Sequence, residues 1–175
     1  MISLGFVMRV IAGIYKNRPL EFKKTKQIRP TKQIVKKSFF DTICPIINGA
    51  VFVDLFAGNG FIGIEAVSRG AKKVFFVDKD DTFIKKNLQN LNISNDKFEI
   101  YQMDVFNFLN LNVVENADIV YMDAPYSLKI DDLVVFLLKK LKKDAIVCVE
   151  SNKVVENERV FKIKKFGNSI LNYLR

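Results

Sequence analysis

Histidine is absent from the 175 residues of this chain. Its absence excludes histidine-based catalytic triads, a histidine general base and histidine metal clusters. Only two cysteines occur, Cys44 and Cys148, and they form no CxxC pair. The sequence therefore predicts neither a disulfide framework nor a thiolate metal site. Any chemistry must depend on carboxylates, lysine, tyrosine, backbone groups or an organic cofactor, and we expect no bound metal.

Long apolar runs are also absent. No window approaches the roughly 18 unbroken apolar residues of a membrane span, and the first seven residues are too short for the apolar region of a secretory signal. We therefore expect a cytoplasmic protein with no membrane partner, whose start is either Met1 or Met8. The length predicts one domain, or one domain with a small appendage, and we expect a monomer.

The positive charge is confined to one end of the chain. Residues 1–40 contain ten basic residues and a single acid, Glu21, so they account for the whole formal net charge of +9. A basic segment on a neutral body favours docking to a polyanion, because each phosphate contact releases condensed counterions. A solvated, lysine-rich surface is the alternative that composition leaves open.

From residue 51 onward, short apolar runs alternate with helical patterns. The predicted strands cover 51–55, 73–78, 98–101, 118–122 and 145–149, with helices over 61–69, after Asp78, through 106–109 and over 133–141. This alternation predicts a parallel sheet covered on both faces. Two further predicted strands, 159–163 and 170–174, are separated by so short a turn that they must form an antiparallel hairpin. That closing hairpin is typical of class I methyltransferases rather than dehydrogenases.

The basic end has its own pattern. Residues 9–15 and 18–22 predict a small hairpin, and a helix over 31–43 follows, with Pro30 and Thr31 suited to its first turn. We therefore divide the chain into a basic N-terminal hairpin-and-helix extension, 1–43, and a main domain, 44–175.

A glycine-rich loop follows the first predicted strand of the sheet. Gly58, Gly60 and Gly63 fit the G-x-G-x-x-G pattern, and Asp78 lies 20 residues after Gly58. Both features also occur in nicotinamide enzymes, so the pattern alone does not choose a cofactor. Asp54, at the strand end, would oppose a pyrophosphate and suits a cationic ligand such as S-adenosylmethionine.

Acidic residues follow three successive strands, where open α/β sheets bind ligands. We expect Asp78 to accept hydrogen bonds from ribose hydroxyls and Asp104 to accept from an adenine amino group, with the next amide, that of Val105, donating to a ring nitrogen. A helix N-cap or a solvated strand end is the alternative for each acid. The predicted cofactor site comprises Asp54, Phe56, Ala57, Gly58, Asn59, Gly60, Asp78, Lys79, Asp104 and Val105.

A tetrapeptide, Asp123-Ala124-Pro125-Tyr126, follows the fourth predicted strand and opens into the same crevice. With the segments 9–13, 18–20, 28–31 and 53–60, it resembles the RsmD type of 16S ribosomal RNA guanine-N2 methyltransferases, over Met8 to Tyr173. The resemblance implies a Rossmann-like class I methyltransferase fold of seven mostly parallel strands. It also implies S-adenosylmethionine as cofactor and methylation of guanine 966 in the 16S RNA of the small ribosomal subunit.

The resemblance implies a role for each residue of the tetrapeptide. The carboxylate of Asp123 and the carbonyl of Ala124 would accept hydrogen bonds from the target amino group, and the ring of Tyr126 would stack on the base. The family pattern is Asp-Pro-Pro-Tyr/Phe, so Ala124 departs from it: the carbonyl is kept, but the fixed φ of a proline before Pro125 is lost. An ionised carboxylate only accepts hydrogen bonds, which favours the all-donor edge of guanine over adenine.

We predict that the basic extension contacts RNA and borders the mouth of the pocket. The predicted contacts are Arg9, Lys16, Arg18, Arg29, Thr31 and Lys32. Three other functions stay open: a methyltransferase acting on an adenine amino group in DNA or RNA, an NAD(P)-dependent oxidoreductase, and a non-catalytic RNA-binding module.

Overall fold

The computed structural model describes residues 8–22, 31–125 and 128–175. Two predicted site residues, Arg29 and Tyr126, lie outside the described residues, as do the side chains of Thr31 and Lys32. In chain order the elements are β1 (Met8–Arg9), β2 (Pro19–Leu20), α1 (Thr31–Ile47), β3 (Val51–Leu55), α2 (Phe61–Ser68), β4 (Lys73–Asp78), α3 (Thr82–Asn90), β5 (Phe98–Gln102), α4 (Val105–Leu109), β6 (Ile119–Asp123), α5 (Ile130–Lys140), β7 (Ile146–Ser151), β8 (Val160–Phe166) and β9 (Ser169–Leu174).

Within the described part of the chain, strands β3 to β9 form one sheet in the order β5-β4-β3-β6-β7-β9-β8. The neighbours from β5 to β7 are parallel, whereas β9 is antiparallel to both β7 and β8. The predicted fold class, a mostly parallel sheet closed by an antiparallel C-terminal hairpin, is thereby confirmed.

The central strands form because their side chains are apolar on both faces. Ile119 and Tyr121 of β6 join a hydrophobic cluster with α1, α2 and α3 on one face of the sheet. Val120 and Met122 join a second cluster with α4 and α5 on the other face. A strand buried on both sides needs a near-continuous apolar run, which is why these strands were recognisable in the sequence.

Helix α1 begins at Thr31 as predicted but continues to Ile47. Its Phe39 is fully buried and packs against the rings of Phe52 and Tyr121, at centroid distances of 6.1 and 4.7 Å. This contact lays α1 directly on the sheet. The predicted boundary between 1–43 and 44–175 falls inside this helix, and the division stays a prediction.

The predicted N-terminal strands, 9–15 and 18–22, are wrong in length, since only Met8–Arg9 pairs with Pro19–Leu20. The backbone amides of Ile11 and Ala12 instead donate to the carboxylate of Glu65, at 2.8 and 2.9 Å. The next amides, from Ile14 and Tyr15, donate to the carbonyl and hydroxyl of Ser68. Because these amides donate to α2, they are not available to pair with a second strand. We call residues 8–22 the arm.

Candidate active site

The predicted site acids lie at one edge of the sheet, where its parallel strands end. Asp78 and Asp123 are the last residues of β4 and β6, Asp54 is next to last in β3, and Asp104 follows β5 by two positions. Strands β5, β4, β3 and β6 are consecutive neighbours, so their carboxyl ends meet at this edge. The charges of Asp123 and Asp78 both act on Asp54, so each of these two carboxyl groups lies within electrostatic range of Asp54.

Asp54 is buried, with 2% of its surface exposed, and its Oδ2 accepts a hydrogen bond from the amide of Gly63 at 2.8 Å. Burial raises the pKa of Asp54 to about 8; the Gly63 hydrogen bond opposes this rise, and the charges of Asp123 and Asp78 add to it. Asp54 therefore keeps its proton at neutral pH and ties β3 to the start of α2. The sequence suggested that Asp54 is an ionised carboxylate facing the ligand, but its burial favours the protonated form.

The glycine-rich loop turns through left-handed backbone conformations at Phe56, Gly58 and Gly60, with φ of 59°, 55° and 76°. The amide of Gly58 donates to Oδ2 of Asp78 at 2.7 Å, and the amide of Ala57 donates to the carbonyl of the last-but-one residue of β4 at 3.1 Å. These bonds hold the loop against the end of β4. Asp78 is thus both a loop anchor and a half-exposed acceptor.

Gly63 has a packing role that the sequence pattern did not distinguish from ligand contact. A Cβ at this position would lie 2.2 Å from the ring of Phe76, a core residue of β4. Only glycine therefore lets α2 approach the sheet this closely, as the third glycine of such loops generally does.

Lys79 and Asp104 form an ion pair beside Asp78. The ammonium of Lys79 lies 2.8 Å from Oδ2 of Asp104, whose Oδ1 accepts from the amide of Phe106 and so caps α4. The Lys79 hydrogen bond, and next the Phe106 amide, lower the pKa of Asp104. Asp104 is therefore a carboxylate, and Val105 stands at the helix N-terminus, where amides lack intrahelical partners.

Asp123 has a neighbour that sequence reasoning missed. It pairs in register with Glu150 of β7, a buried acid that accepts hydrogen bonds from the hydroxyl of Tyr121 and, at 3.0 Å, from that of Ser169. Burial, followed by the charges of Glu150 and Asp123, raises the pKa of Tyr121 well above its usual value. The sequence did contain a clue to Glu150, which is an acid that follows the apolar run of β7. After Asp123, Ala124 is buried and Pro125 is exposed.

The arm does not lie where the sequence suggested. The guanidinium of Arg18 donates to the carbonyl of Asn90, the last residue of α3, at 3.3 Å. Lys16 belongs to the turn held at the end of α2 by Ser68, and Arg9 donates to the carbonyl of Asn17. Helices α2 and α3 both start at the carboxyl edge and run away from it. The prediction that Arg18 borders the pocket mouth is therefore wrong: the nine residues of α3 separate it by about 12 Å from that edge.

The end of the arm is nevertheless linked to the glycine-rich loop, through a second residue that sequence reasoning missed. Asn87 of α3 is 1% exposed; its Nδ2 donates to the carbonyls of Glu21 and Asn59, and its Oδ1 accepts from the amide of Glu21. The ring of Phe22 packs edge-on against Phe61, the first residue after the loop, at 6.2 Å. Both the amide nitrogen and the amide oxygen of Asn87 are hydrogen-bonded, so this side chain holds the arm, the loop and α3 together.

Across the described ranges, no helix is both long and apolar enough to cross a membrane. The same ranges contain no group of three or more acidic or cysteine residues placed to hold a metal ion. A surface cavity lined by Lys85, Gln89, Ser94 and Phe98 lies beside α3 and β5 and contains none of the predicted site residues.

Comparison with known proteins adds relatives to this geometry. A family model described as "Conserved hypothetical protein 95" matches residues 8–175. The chain is 32% identical over 176 residues to the ribosomal RNA small subunit methyltransferase D of Haemophilus influenzae, a match that covers 95% of this chain and 91% of the relative.

Solved structures share the fold. The yhhF protein of Escherichia coli superposes with a TM-score of 0.81 at 26% identity, covering 97% of this chain and 98% of that one. An RNA methyltransferase from Salinibacter ruber, solved in complex with S-adenosyl-L-homocysteine, has a TM-score of 0.66 at 18% identity, covering 83% of this chain and 92% of that one, a likeness of fold alone. The near full-length family match and the Haemophilus influenzae relative show that this chain belongs to the RsmD family of methyltransferases.

Proposed function

We propose that this protein transfers a methyl group from S-adenosylmethionine to the exocyclic N2 of a guanine in the 16S RNA of the small ribosomal subunit. The observation that carries the proposal is the set of acids at the ends of four adjacent strands, with Asp123 beside the glycine-rich loop. The name of the Haemophilus influenzae relative supports the choice of substrate. Such a substrate would be met in the cytoplasm.

The chemistry of these side chains fits S-adenosylmethionine better than a dinucleotide. Asp78 and Asp123 both act electrostatically on the protonated Asp54, so a pyrophosphate at the loop would meet two nearby acids, whereas a sulfonium and an ammonium would be attracted to them. When bound, the cofactor supplies an electrophilic methyl group. The residues that would hold it are Asp54, Phe56, Ala57, Gly58, Asn59, Gly60, Asp78, Lys79, Asp104 and Val105.

Asp123 supplies the chain's own contribution to the reaction. A guanine amino group is a poor nucleophile, because its lone pair is delocalised into the ring. The carboxylate of Asp123 would accept a hydrogen bond from that amino group, orient it, and stabilise the positive charge that grows on its nitrogen. The carbonyl of Ala124 would be a second acceptor, and the ring of Tyr126 would stack on a base turned out of its helix.

Guanine is favoured over adenine because the ionised carboxylate of Asp123 and the carbonyl of Ala124 accept hydrogen bonds and donate none. Guanine presents N1–H and N2–H₂ together, both of which need acceptors, whereas adenine presents a donor beside an acceptor. Asp123 has no hydrogen to donate when ionised. An adenine-directed site would be better served by an amide, which both donates and accepts.

The arm would bind RNA away from the target base. Arg9, Lys16 and Arg18 lie on the part of the arm that follows α2 and α3 away from the carboxyl edge. We assign them to phosphates remote from the methylated guanine, and Arg29, Thr31 and Lys32 remain proposed RNA contacts.

Incubation of the protein with methyl-labelled S-adenosylmethionine and small subunits from cells that lack this enzyme tests the proposal. We expect label in 16S RNA, its loss in the Asp123→Ala variant, and cofactor affinity in that variant within about tenfold of the wild type. Asp144→Ala is the matched control, since Asp144 is exposed just before β7, where the strand starts rather than ends. Absence of label with wild-type protein would overturn the function, and an active Asp123→Ala variant would overturn the role of Asp123.

A further inference from the structure

The C-terminal hairpin carries a basic cluster that the charge distribution along the sequence did not single out. Lys162, Lys164 and Lys165 fall within four positions of β8, the last strand of the sheet. Because side chains alternate along a strand, Lys162 and Lys164 lie on the face that packs on α1 and Lys165 lies on the other face. We call the three the hairpin lysines, which flank this edge strand on both faces. Lys162 and Lys165 are exposed, whereas Lys164 is half-buried and its ammonium donates to the hydroxyl of Ser38 on α1 at 3.0 Å.

The sheet register places this cluster level with Asp123. Asp123 on β6 pairs with Glu150 on β7, and Glu150 pairs with Leu171 on β9. Leu171 in turn pairs with Lys164 on β8. Neighbouring strands are about 4.8 Å apart, so the backbone of Lys164 lies about 14 Å from that of Asp123 along one row of the sheet. Lys165 is one residue nearer to the carboxyl edge.

The acid that lies within this row, between Asp123 and the lysines, is not at the surface. Glu150 is 5% exposed and its carboxylate is engaged by the hydroxyls of Tyr121 and Ser169. The basic residues of the arm lie elsewhere: Arg18 is bound at the far end of α3. Among the described residues, the hairpin lysines are therefore positive charges level with the predicted catalytic residue, on a side of the sheet that Arg18 does not reach.

We propose that the hairpin lysines form a second RNA-binding surface, which holds phosphates of nucleotides that flank the methylated one. The proposal rests on the proposed function and adds to it a second surface of the protein that contacts the RNA. RNA would cross the carboxyl edge of the sheet, with the target base at Asp123 and its backbone continuing over β9 and β8. Each lysine that meets a phosphate releases counterions, so the surface contributes affinity that depends on salt.

A purely structural role makes a different prediction. Exposed lysines on an edge strand also keep sheets from pairing edge to edge. Glutamate at the same positions would keep the edge charged and preserve that protection, but it would repel RNA. Charge reversal therefore separates RNA binding from edge protection.

The test compares two double variants for binding to small subunits from cells that lack this enzyme, and for methylation of them. Lys162→Glu with Lys165→Glu reverses the exposed hairpin lysines and leaves the Lys164 contact to α1 intact. Lys139→Glu with Lys143→Glu makes the same charge change near the end of α5, before β7 begins, at the opposite edge of the sheet. Cofactor affinity, melting temperature and gel-filtration behaviour are measured for all three proteins.

We expect the hairpin variant to bind about twentyfold or more weakly at 0.15 M salt, from two lost phosphate contacts of roughly fivefold each. Its plot of log affinity against log salt should be shallower by about 1.5. Cofactor affinity and melting temperature should match those of the control variant. Equal subunit affinity and salt dependence in the two variants would overturn the proposal while wild-type methylation still upholds the function. If only the hairpin variant unfolds or aggregates, the lysines protect the edge of the sheet and the proposal is overturned.

Discussion

Replacing Asp54 with asparagine should change how the stability of the protein depends on pH. Folded Asp54 holds its proton up to a pKa of about 8, whereas the ordinary value of 3.8 applies once the chain unfolds. Between these values the folded state binds one more proton than the unfolded state, so the free energy of unfolding falls as pH rises. The contribution is fully present below pH 3.8 and is lost as pH rises towards 8.

The structure sets the size of this effect. One pKa unit corresponds to about 1.4 kcal/mol, so Asp54 costs at most about 6 kcal/mol by pH 8 relative to acid conditions. Asparagine keeps an oxygen that can accept from the amide of Gly63 but has no proton to lose. From pH 5 to pH 7 the variant should therefore gain about 3 kcal/mol on the wild type, a change of roughly 6 to 12 °C in their difference in melting temperature.

Thermal melts of both proteins at intervals from pH 5 to pH 9 provide the assay. Asp104→Asn is the control: the Lys79 hydrogen bond lowers the pKa of Asp104 below its ordinary value of 3.8, so its contribution is lost only in more acidic solution, and the difference between this variant and the wild type should not change from pH 5 to pH 9. Melting curves of wild type and Asp54→Asn that shift in parallel with pH would refute the buried, protonated state of Asp54.

Three further changes test the fold and the arm. Glu65→Ala should cost about 3–5 kcal/mol, because it leaves the buried ammonium of Lys36 without its anion, and it should speed hydrogen exchange of arm amides; unchanged exchange would contradict the anchoring role. Gly63→Ala should cost about 1–3 kcal/mol by chemical denaturation, since its Cβ collides with Phe76, and a neutral result would refute the close packing of α2. Arg18→Ala should raise KM for small subunits while leaving kcat unchanged; a fall in kcat would place Arg18 nearer to the reacting base.

Much of the fold was predictable because its elements carry local periodic patterns. The buried runs of β3 and β6 and the short turn between β8 and β9 are visible within a few residues, and they fix a parallel sheet with an antiparallel end. The arm was mispredicted for the opposite reason. Its amides bond to Glu65 and Ser68, more than 50 residues away, and no local pattern shows such acceptors.

The meeting of the strand-end acids at one edge of the sheet was predictable from the sequence, but the ionisation of Asp54 was not. Strand-end acids such as Asp78 and Asp123 follow from topology alone, because parallel strands end at one edge. Whether Asp54 is ionised depends on burial beneath α2, and the pairing of Glu150 with Tyr121 depends on the register of β6 and β7. Charge counts likewise identified a basic end without revealing which side of the sheet it covers.

The central claim is tested most directly by the identity of the methylated nucleoside. Small subunits from cells lacking this enzyme, treated with the protein and S-adenosylmethionine, can be digested to nucleosides and analysed by mass spectrometry. The account predicts N2-methylguanosine, present with wild-type protein and absent with Asp123→Ala. N6-methyladenosine as the product would contradict the assignment of the Asp123 carboxylate to a guanine edge.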